Sequence, residues 1–130
     1  MTDIQGLDDI KLLVDTFYDK VLKDETIGYI FTDVAKINVQ EHMPKMYAFW
    51  NASLFGAAGY KGNTVAKHIE LNKKEALVDN QFDQWEKLFA ETIDELFVGE
   101  MATLAKQRAK AMRFLIQFKI EKSKEPGFIQ

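Results

Sequence analysis

The two histidines of this chain, His42 and His68, lie on either side of a dense run of large apolar side chains. The segment EHMPKMYAFWNASLFGAAGYKGNTVAKHIELN, residues 41–72, contains both of them together with Phe49 and Trp50. An imidazole can ligate a metal, transfer a proton or act as a hydrogen-bond partner near neutral pH. These two side chains are therefore the first candidates for a functional site.

Residue types exclude several other kinds of site. The chain has no cysteine, which rules out disulfides, thiolate catalysis and cysteine-ligated metals. The glycine-rich segment GAAGYKGN, residues 56–63, follows no predicted strand, as a phosphate-binding loop would require. Adjacent carboxylates such as Asp8 and Asp9 point apart on a helix, and a zinc site needs more ligands than two isolated histidines. A buried organic cofactor remains as the chemical hypothesis.

A haem is one cofactor that these residue types could hold. It requires a helical slot lined by aromatic side chains, one imidazole to ligate iron and few polar groups on the opposite face. A histidine among apolar residues is, however, more often a hydrogen-bonded core or surface residue, and aromatic stripes at helical spacing are usually core. On the residues alone, both interpretations stay open.

Apolar periodicity predicts the helices that would position these side chains. A stripe at i, i+3, i+4 and i+7 indicates a first helix from Asp8 or Asp9 to Lys23. Asn38, three residues before a glutamate, resembles a capping box that opens a second helix. Pro44 lacks a backbone donor, so the regular helix either begins near Pro44 or bends there.

The third helix carries His68. The glycine-rich segment at residues 56–63 predicts a loop, and Asn63 or Thr64 could cap the short helix TVAKHIEL that follows it. A polar stretch then separates this helix from the next apolar stripe.

Two further helices complete the prediction. Asp79 or Asn80 is the expected cap of the fourth helix, which Gly99 ends, and the last helix extends from about Glu100 to Lys122. With five predicted helices and no convincing strand, the fold class is all-α.

Composition points to one domain without a nucleic-acid or membrane partner. A chain of 130 residues and 15.0 kDa, with 47% hydrophobic residues, matches a single domain over residues 1–130, with a short polar tail from about residue 121. A net charge of -3 argues against a basic binding face. No apolar run approaches the ~20 residues of a membrane span, and the N-terminus lacks a signal pattern, so we expect a cytoplasmic protein.

Several stretches together resemble the group III truncated haemoglobins. These are FYDKVLKDETIGYIF, EHMPKMYAFWNASLFG, YKGNTVAKHIEL and FDQWEKLFAETIDELFVGEMATLAKQRA, which occur in order between about Ile10 and Ala109. The resemblance implies a truncated globin, a two-over-two helical sandwich around one haem b (iron protoporphyrin IX).

The resemblance also implies roles for four residues. His68 matches the family's proximal iron ligand, and Tyr18 and Trp85 match its distal tyrosine and tryptophan. His42 matches a distal histidine, which could gate access from solvent, hydrogen-bond Tyr18 or ligate iron itself. For Tyr18 and Trp85, core packing with incidental hydrogen bonds is the competing interpretation.

Nine further positions are expected to contact the haem. The packing candidates, for which ordinary core packing is a close competitor, are Phe17, Phe31, Met46, Trp50, Leu71 and Phe82. The candidate partners of the propionates, which could equally be solvated side chains, are Lys45, Tyr60 and Lys67.

Three departures from the family pattern concern the surroundings of the haem. Thr64 replaces a proline that often follows the YxGN motif, so we expect a looser start to the proximal helix. The stretch after His68, NKKEALVDNQ, is more polar than is common, and Val39 replaces a tryptophan.

Three functions are compatible with this sequence. The first is reversible binding of oxygen, and also of NO and CO, at ferrous iron. The second is an NO-detoxifying or peroxidase-like enzyme that needs a separate reductase, because no reductase domain fits in 130 residues. The third is a haem-free, globin-like interaction module, which one absorption spectrum would reveal. The sequence shows no obvious dimer surface, and we expect a monomer.

Overall fold

The computed structural model describes residues 1–58, 60 and 62–124. Within them, the chain forms five α-helices and one π-helical turn, joined by loops. The α-helices are α1 (Leu7–Lys23), α2 (Val39–Phe55), α3 (Thr64–Lys74), α4 (Asp79–Leu96) and α5 (Glu100–Ser123), and the π-helix is Ile30–Val34. These residues contain no strand, and the all-α prediction is confirmed. Helix α5 includes the start of the expected polar tail, whose residues 125–130 lie outside the described part.

Helix α1 carries charges that suit its dipole. Asp8 and Asp9 lie in its first turn, where the helix end is partly positive, and Lys20 and Lys23 lie in its last turn. Its inward face is fully apolar apart from one phenol and consists of Ile10, Leu13, Val14, Phe17, Tyr18 and Val21. Tyr18 is therefore placed in the core by the same periodicity that forms the helix.

Helix α2 begins before Pro44 and continues through it. The Asn38 side chain accepts a hydrogen bond from the Glu41 backbone N–H at 3.3 Å and thereby caps the helix at Val39. The alternative that the regular helix begins near Pro44 is wrong. Because Pro44 removes one backbone bond early in the helix, the cap and the buried side chains Met43 and Trp50 must offset that loss.

The third and fourth helices begin at unlike caps. Asn63 caps α3 by accepting a hydrogen bond from the Ala66 backbone N–H at 3.0 Å. At α4 the expected cap, Asp79 or Asn80, is wrong, because the N-cap is Val78. The Gln81 side chain replaces a polar cap here by accepting from the Val78 backbone N–H at 3.0 Å. Helix α4 ends at Leu96, before Gly99.

Asp3, far away in sequence, caps helix α5. Its two carboxylate oxygens each accept a backbone N–H at 2.8 Å, one from Met101 and one from Ala102. Gly99 precedes the helix with φ 144, and a Cβ there would lie 2.5 Å from the Asp3 Cγ. Glycine is therefore required at position 99 both by its backbone conformation and by the approach of Asp3.

We expect Asp3→Asn to lower the melting temperature by a few degrees at pH 7. Burial raises the pKa of the Asp3 carboxyl, but its backbone hydrogen bonds, first those from Met101 and Ala102, outweigh this effect and lower the pKa overall. A carboxyl with a lowered folded-state pKa contributes stability above its ordinary value of 3.8 and loses it as the pH falls through the folded value. The difference between wild type and variant should therefore shrink in acid.

Thermal melts from pH 7 down to pH 3 would measure this effect, with Asp19→Asn on the exposed side of α1 as the control. An Asp3→Asn melting temperature equal to that of wild type at pH 7 would contradict the capping role.

The helices pack in a continuous series in which α1 and α5 each contact two neighbours closely. Helix α1 packs against α2 and α4, helix α5 packs against α4 and α3, and α2 makes a smaller contact with α5. The centre is formed by side chains such as Val14, Phe89, Ile93 and Ala105, each at most 1% exposed. Helices α2 and α3, which carry His42 and His68, are not among the main packed pairs of the described residues. No helix in the described part is long and apolar enough to cross a bilayer.

Candidate functional site

Tyr18 and His42 form a hydrogen-bonded pair between α1 and α2. The Tyr18 Oη lies 2.9 Å from the His42 Nε2, and the two rings meet edge to face with centroids 5.2 Å apart. Tyr18 is 8% exposed and His42 is partly buried. Of the three orientations considered for His42, the structure has the one directed at Tyr18.

Both members of this pair are neutral near pH 7. Burial raises the pKa of Tyr18, so the phenol keeps its proton. Burial, and to a lesser degree the positive charge of Lys45, lowers the pKa of His42, so the imidazole is uncharged. The pair therefore offers neutral hydrogen-bonding groups in a largely apolar setting.

Trp85 on α4 joins this pair through Phe17. The Phe17 ring meets Tyr18 at a centroid distance of 5.3 Å and Trp85 at 5.8 Å, both edge to face. Trp85 also lies parallel to Phe89 at 5.7 Å. Its indole N–H makes no hydrogen bond to the described residues. This donor-only group is consequently available to another acceptor.

His68 on α3 has a defined tautomer. Its Nδ1 lies 2.7 Å from the Thr64 carbonyl oxygen, and because a carbonyl can only accept, Nδ1 must carry the hydrogen. Burial lowers the pKa of His68 although the Thr64 bond acts in the opposite direction, so the ring is neutral. The Nε2 atom then has a free lone pair and makes no hydrogen bond to the described residues.

The expected haem-packing residues do not form a single cluster. Phe17 and Trp50 are buried in the main core, where Trp50 stacks on Phe89 at 4.7 Å. Phe31, Met46 and Leu71 are partly buried and pack against that core. Phe82 instead packs in a second cluster that contains Ile69, Ile116 and Ile120. The structure thus separates Phe82 from the other five.

Comparison with known proteins identifies the family. No family model matches the sequence. The chain is 33% identical over 104 residues to the group 3 truncated hemoglobin ctb of Campylobacter jejuni subsp. jejuni serotype O:2, an alignment that covers 78% of this chain and 80% of that protein. This chain belongs to the group III truncated haemoglobins.

The fold agrees with this family. The crystal structure of the group III truncated hemoglobin from Campylobacter jejuni superposes with a TM-score of 0.83 and 28% identity, over 96% of this chain and 99% of that chain. The predicted family and truncated-globin fold are confirmed. As a truncated haemoglobin, the protein is a globin-type haem protein that binds ligands.

The His68 side chain of this truncated haemoglobin is compatible with haem ligation. The tautomer that the Thr64 carbonyl imposes on His68 is the one in which Nε2 can ligate iron, and such an outer hydrogen bond is usual for a ligating histidine. Helices α2 and α3 are joined by little direct packing, as a slot between them requires. The donor set is therefore compatible with the cofactor that the family implies.

The expected propionate partners occupy different environments. Lys45 and Lys67 are exposed, whereas Tyr60 is half-buried. The Tyr60 hydroxyl lies 2.8 Å from the Thr64 Oγ1, and a phenol that accepts from Thr64 can still donate to a carboxylate.

The structure contains a cavity beside Tyr18 that was not predicted from the sequence. It has a volume of about 430 Å³ and lies between α1 and the start of α2, where Leu22, Met43 and Tyr47 help to line it. At its edge the Tyr47 hydroxyl donates a hydrogen bond to Asp15, which with burial and the Asp15 charge raises the pKa of Tyr47 to about 12. A tyrosine at helical spacing gives no sign of this pairing in the sequence.

Proposed function

We propose that this truncated haemoglobin binds oxygen, and also NO and CO, reversibly at the ferrous iron of a haem b ligated by His68. The observation that carries the proposal is the His68 ring, which is neutral, fixed by Thr64 and open at Nε2. Haem, when bound, supplies an iron that coordinates diatomic gases. The remaining chemistry belongs to the protein's own side chains.

The distal side chains supply hydrogen bonds to a gas ligand. In the tautomer with a hydrogen on Nε2, His42 donates to the Tyr18 oxygen, which leaves the phenol hydrogen free to donate elsewhere. The Trp85 indole is a second donor. Because dioxygen carries partial negative charge as a ligand, one or two such donors at about 1–1.5 kcal/mol each would slow its loss by roughly ten- to a hundredfold.

A second candidate function rests on the other tautomer of His42. If Nε2 carries no hydrogen, Tyr18 donates to it. A hydroperoxide could then lose its proton to the Tyr18 oxygen as Tyr18 passes its own proton to the neutral imidazole, which acts as the base through this hydroxyl. This would suit a peroxidase-like or NO-detoxifying enzyme whose electrons come from a separate reductase. Oxygen binding is preferred because it requires no further protein.

The experiment is an absorption spectrum of the purified, haem-reconstituted protein before and after dithionite and oxygen. We expect one haem per chain and a ferrous oxygen complex that releases its gas unchanged when oxygen is removed. Rapid oxidation of iron with consumption of peroxide would favour the enzyme instead. A colourless protein that does not take up haem would establish an interaction module.

We expect His42→Leu to keep the haem but to alter access to it. The imidazole lies over the edge of Tyr18, and its loss would open the distal side, so CO association should become about threefold to tenfold faster. Flash photolysis measures this rate, and the ferric absorption spectrum would show any change of spin state.

The matched control is His42→Gln, whose amide N–H can still donate to the Tyr18 oxygen. If the leucine variant associates CO at the wild-type rate and keeps the wild-type ferric spectrum, His42 has only a structural role.

A further inference from the structure

Tyr60 connects the two helices that carry the histidines. Its ring meets Phe49 of α2 edge to face at a centroid distance of 5.2 Å, while its hydroxyl is bonded to Thr64 of α3. Because α2 and α3 are not one of the main packed pairs, this side chain adds a contact between two helices that otherwise pack little against each other.

The backbone next to Tyr60 leaves space for its ring. A Cβ on Gly62 would lie 2.4 Å from the Tyr60 Oη and 2.7 Å from the Cζ, distances that real Cβ atoms do not reach. A side chain at position 62 would thus displace the phenol from Thr64. Tyr60 can therefore reach Thr64 only because residue 62 is a glycine.

Thr64 connects Tyr60 to His68. Its hydroxyl meets Tyr60 at 2.8 Å, and its carbonyl oxygen meets the His68 Nδ1 at 2.7 Å. Thr64 is also the first residue of α3, directly after the Asn63 cap. A bond that holds its side chain therefore restrains the carbonyl that orients the imidazole.

We propose that Tyr60 is a positioning residue: it holds the start of α3 against α2 and, through Thr64, fixes the orientation of the His68 ring. This inference rests on the proposed function, in which His68 ligates iron. It assigns Tyr60 a role beyond a contact with a propionate. Loss of the Tyr60–Thr64 bond should loosen the His68 ring without removing any ligand.

The test compares Thr64→Val with Thr64→Ser in the holoprotein. Valine keeps the branched shape and removes the hydroxyl, whereas serine keeps the hydroxyl. For Thr64→Val we expect the iron–histidine stretching band of the ferrous protein in resonance Raman spectra to shift to lower frequency and broaden. Haem transfer to an excess of apomyoglobin should be about three- to tenfold faster, as for the loss of one hydrogen bond. Thr64→Ser should resemble wild type in both measurements.

Gly62→Ala tests the same connection without changing any hydrogen-bonding group. It should reproduce the Raman shift of Thr64→Val, whereas the control Gly6→Ala, where no atom lies within 4 Å of the added Cβ, should not. Tyr60→Phe should shift the band in the same direction.

An unshifted band in Thr64→Val, or an equal shift in Thr64→Ser, would overturn the positioning role of Tyr60. Failure of the proposed function is recognised separately, because wild type would then lack the iron–histidine band or His68→Ala would retain it.

Discussion

His68→Ala should purify with little haem, less than roughly a tenth of the wild-type content. Even outer partners of a metal ligand change metal affinity by about 10- to 100-fold, and loss of the ligand itself should cost more. The other imidazole, His42, is engaged with Tyr18 at 2.9 Å on a different helix and is not placed to substitute for it. Haem content follows from the ratio of haem to protein absorbance after reconstitution.

Two controls would show whether His68→Ala loses haem because the iron ligand itself is gone. Added imidazole should restore haem binding to His68→Ala, because the small molecule can occupy the space that the side chain leaves. His42→Ala should keep its haem, since His42 is proposed to bond to Tyr18 and to control access on the distal side, not to ligate iron. Full haem retention by His68→Ala with an unchanged ferrous spectrum would remove His68 from the proximal position.

Local signals in the sequence were sufficient for most of the fold. The caps Asn38 and Asn63 act on residues three positions away, so their role can be predicted from spacing alone. The cap of α4 could not be predicted in this way, because Val78 has no polar side chain and its backbone N–H bonds to the Gln81 side chain. The contact between Asp3 and the start of α5 joins distant parts of the chain and leaves no local pattern.

The residues of the candidate site could be predicted from the sequence, but the contacts among them could not. The resemblance places Tyr18, His42 and His68. Residue reasoning left the direction of His42 open, because the regular helix could have begun near Pro44 or bent there. The structure continues α2 through Pro44, and His42 then meets Tyr18. The bonds that Thr64 makes to Tyr60 and His68 depend on three side chains in space, and spacing does not show them.

Tyr18→Phe should accelerate oxygen dissociation by about tenfold, with a much smaller effect on CO. The substitution keeps the ring and hence its contacts with Phe17 at 5.3 Å and Phe31 at 5.9 Å, so the fold should change little. It removes one hydroxyl donor, and a loss of about 1.4 kcal/mol corresponds to a factor of ten in rate.

The effect could exceed tenfold because His42 is coupled to the same hydroxyl. Without the Tyr18 oxygen, the His42 Nε2 loses its partner at 2.9 Å, and groups in one hydrogen-bond network rarely contribute independently. The double variant Tyr18→Phe/His42→Leu would measure this coupling, because additive effects on the oxygen rate would mean that the pair acts as two separate groups.

Carbon monoxide provides the internal control for Tyr18→Phe. As a ligand CO carries less negative charge than dioxygen, so a lost donor should affect its dissociation far less, whereas a widened or disordered distal side would affect both gases. Stopped-flow measurement of the two dissociation rates on the same preparation separates these cases, and Trp85→Phe tests the second donor in the same way. Equal acceleration of both gases, or slower oxygen loss, would show that Tyr18 is not the dominant donor to oxygen.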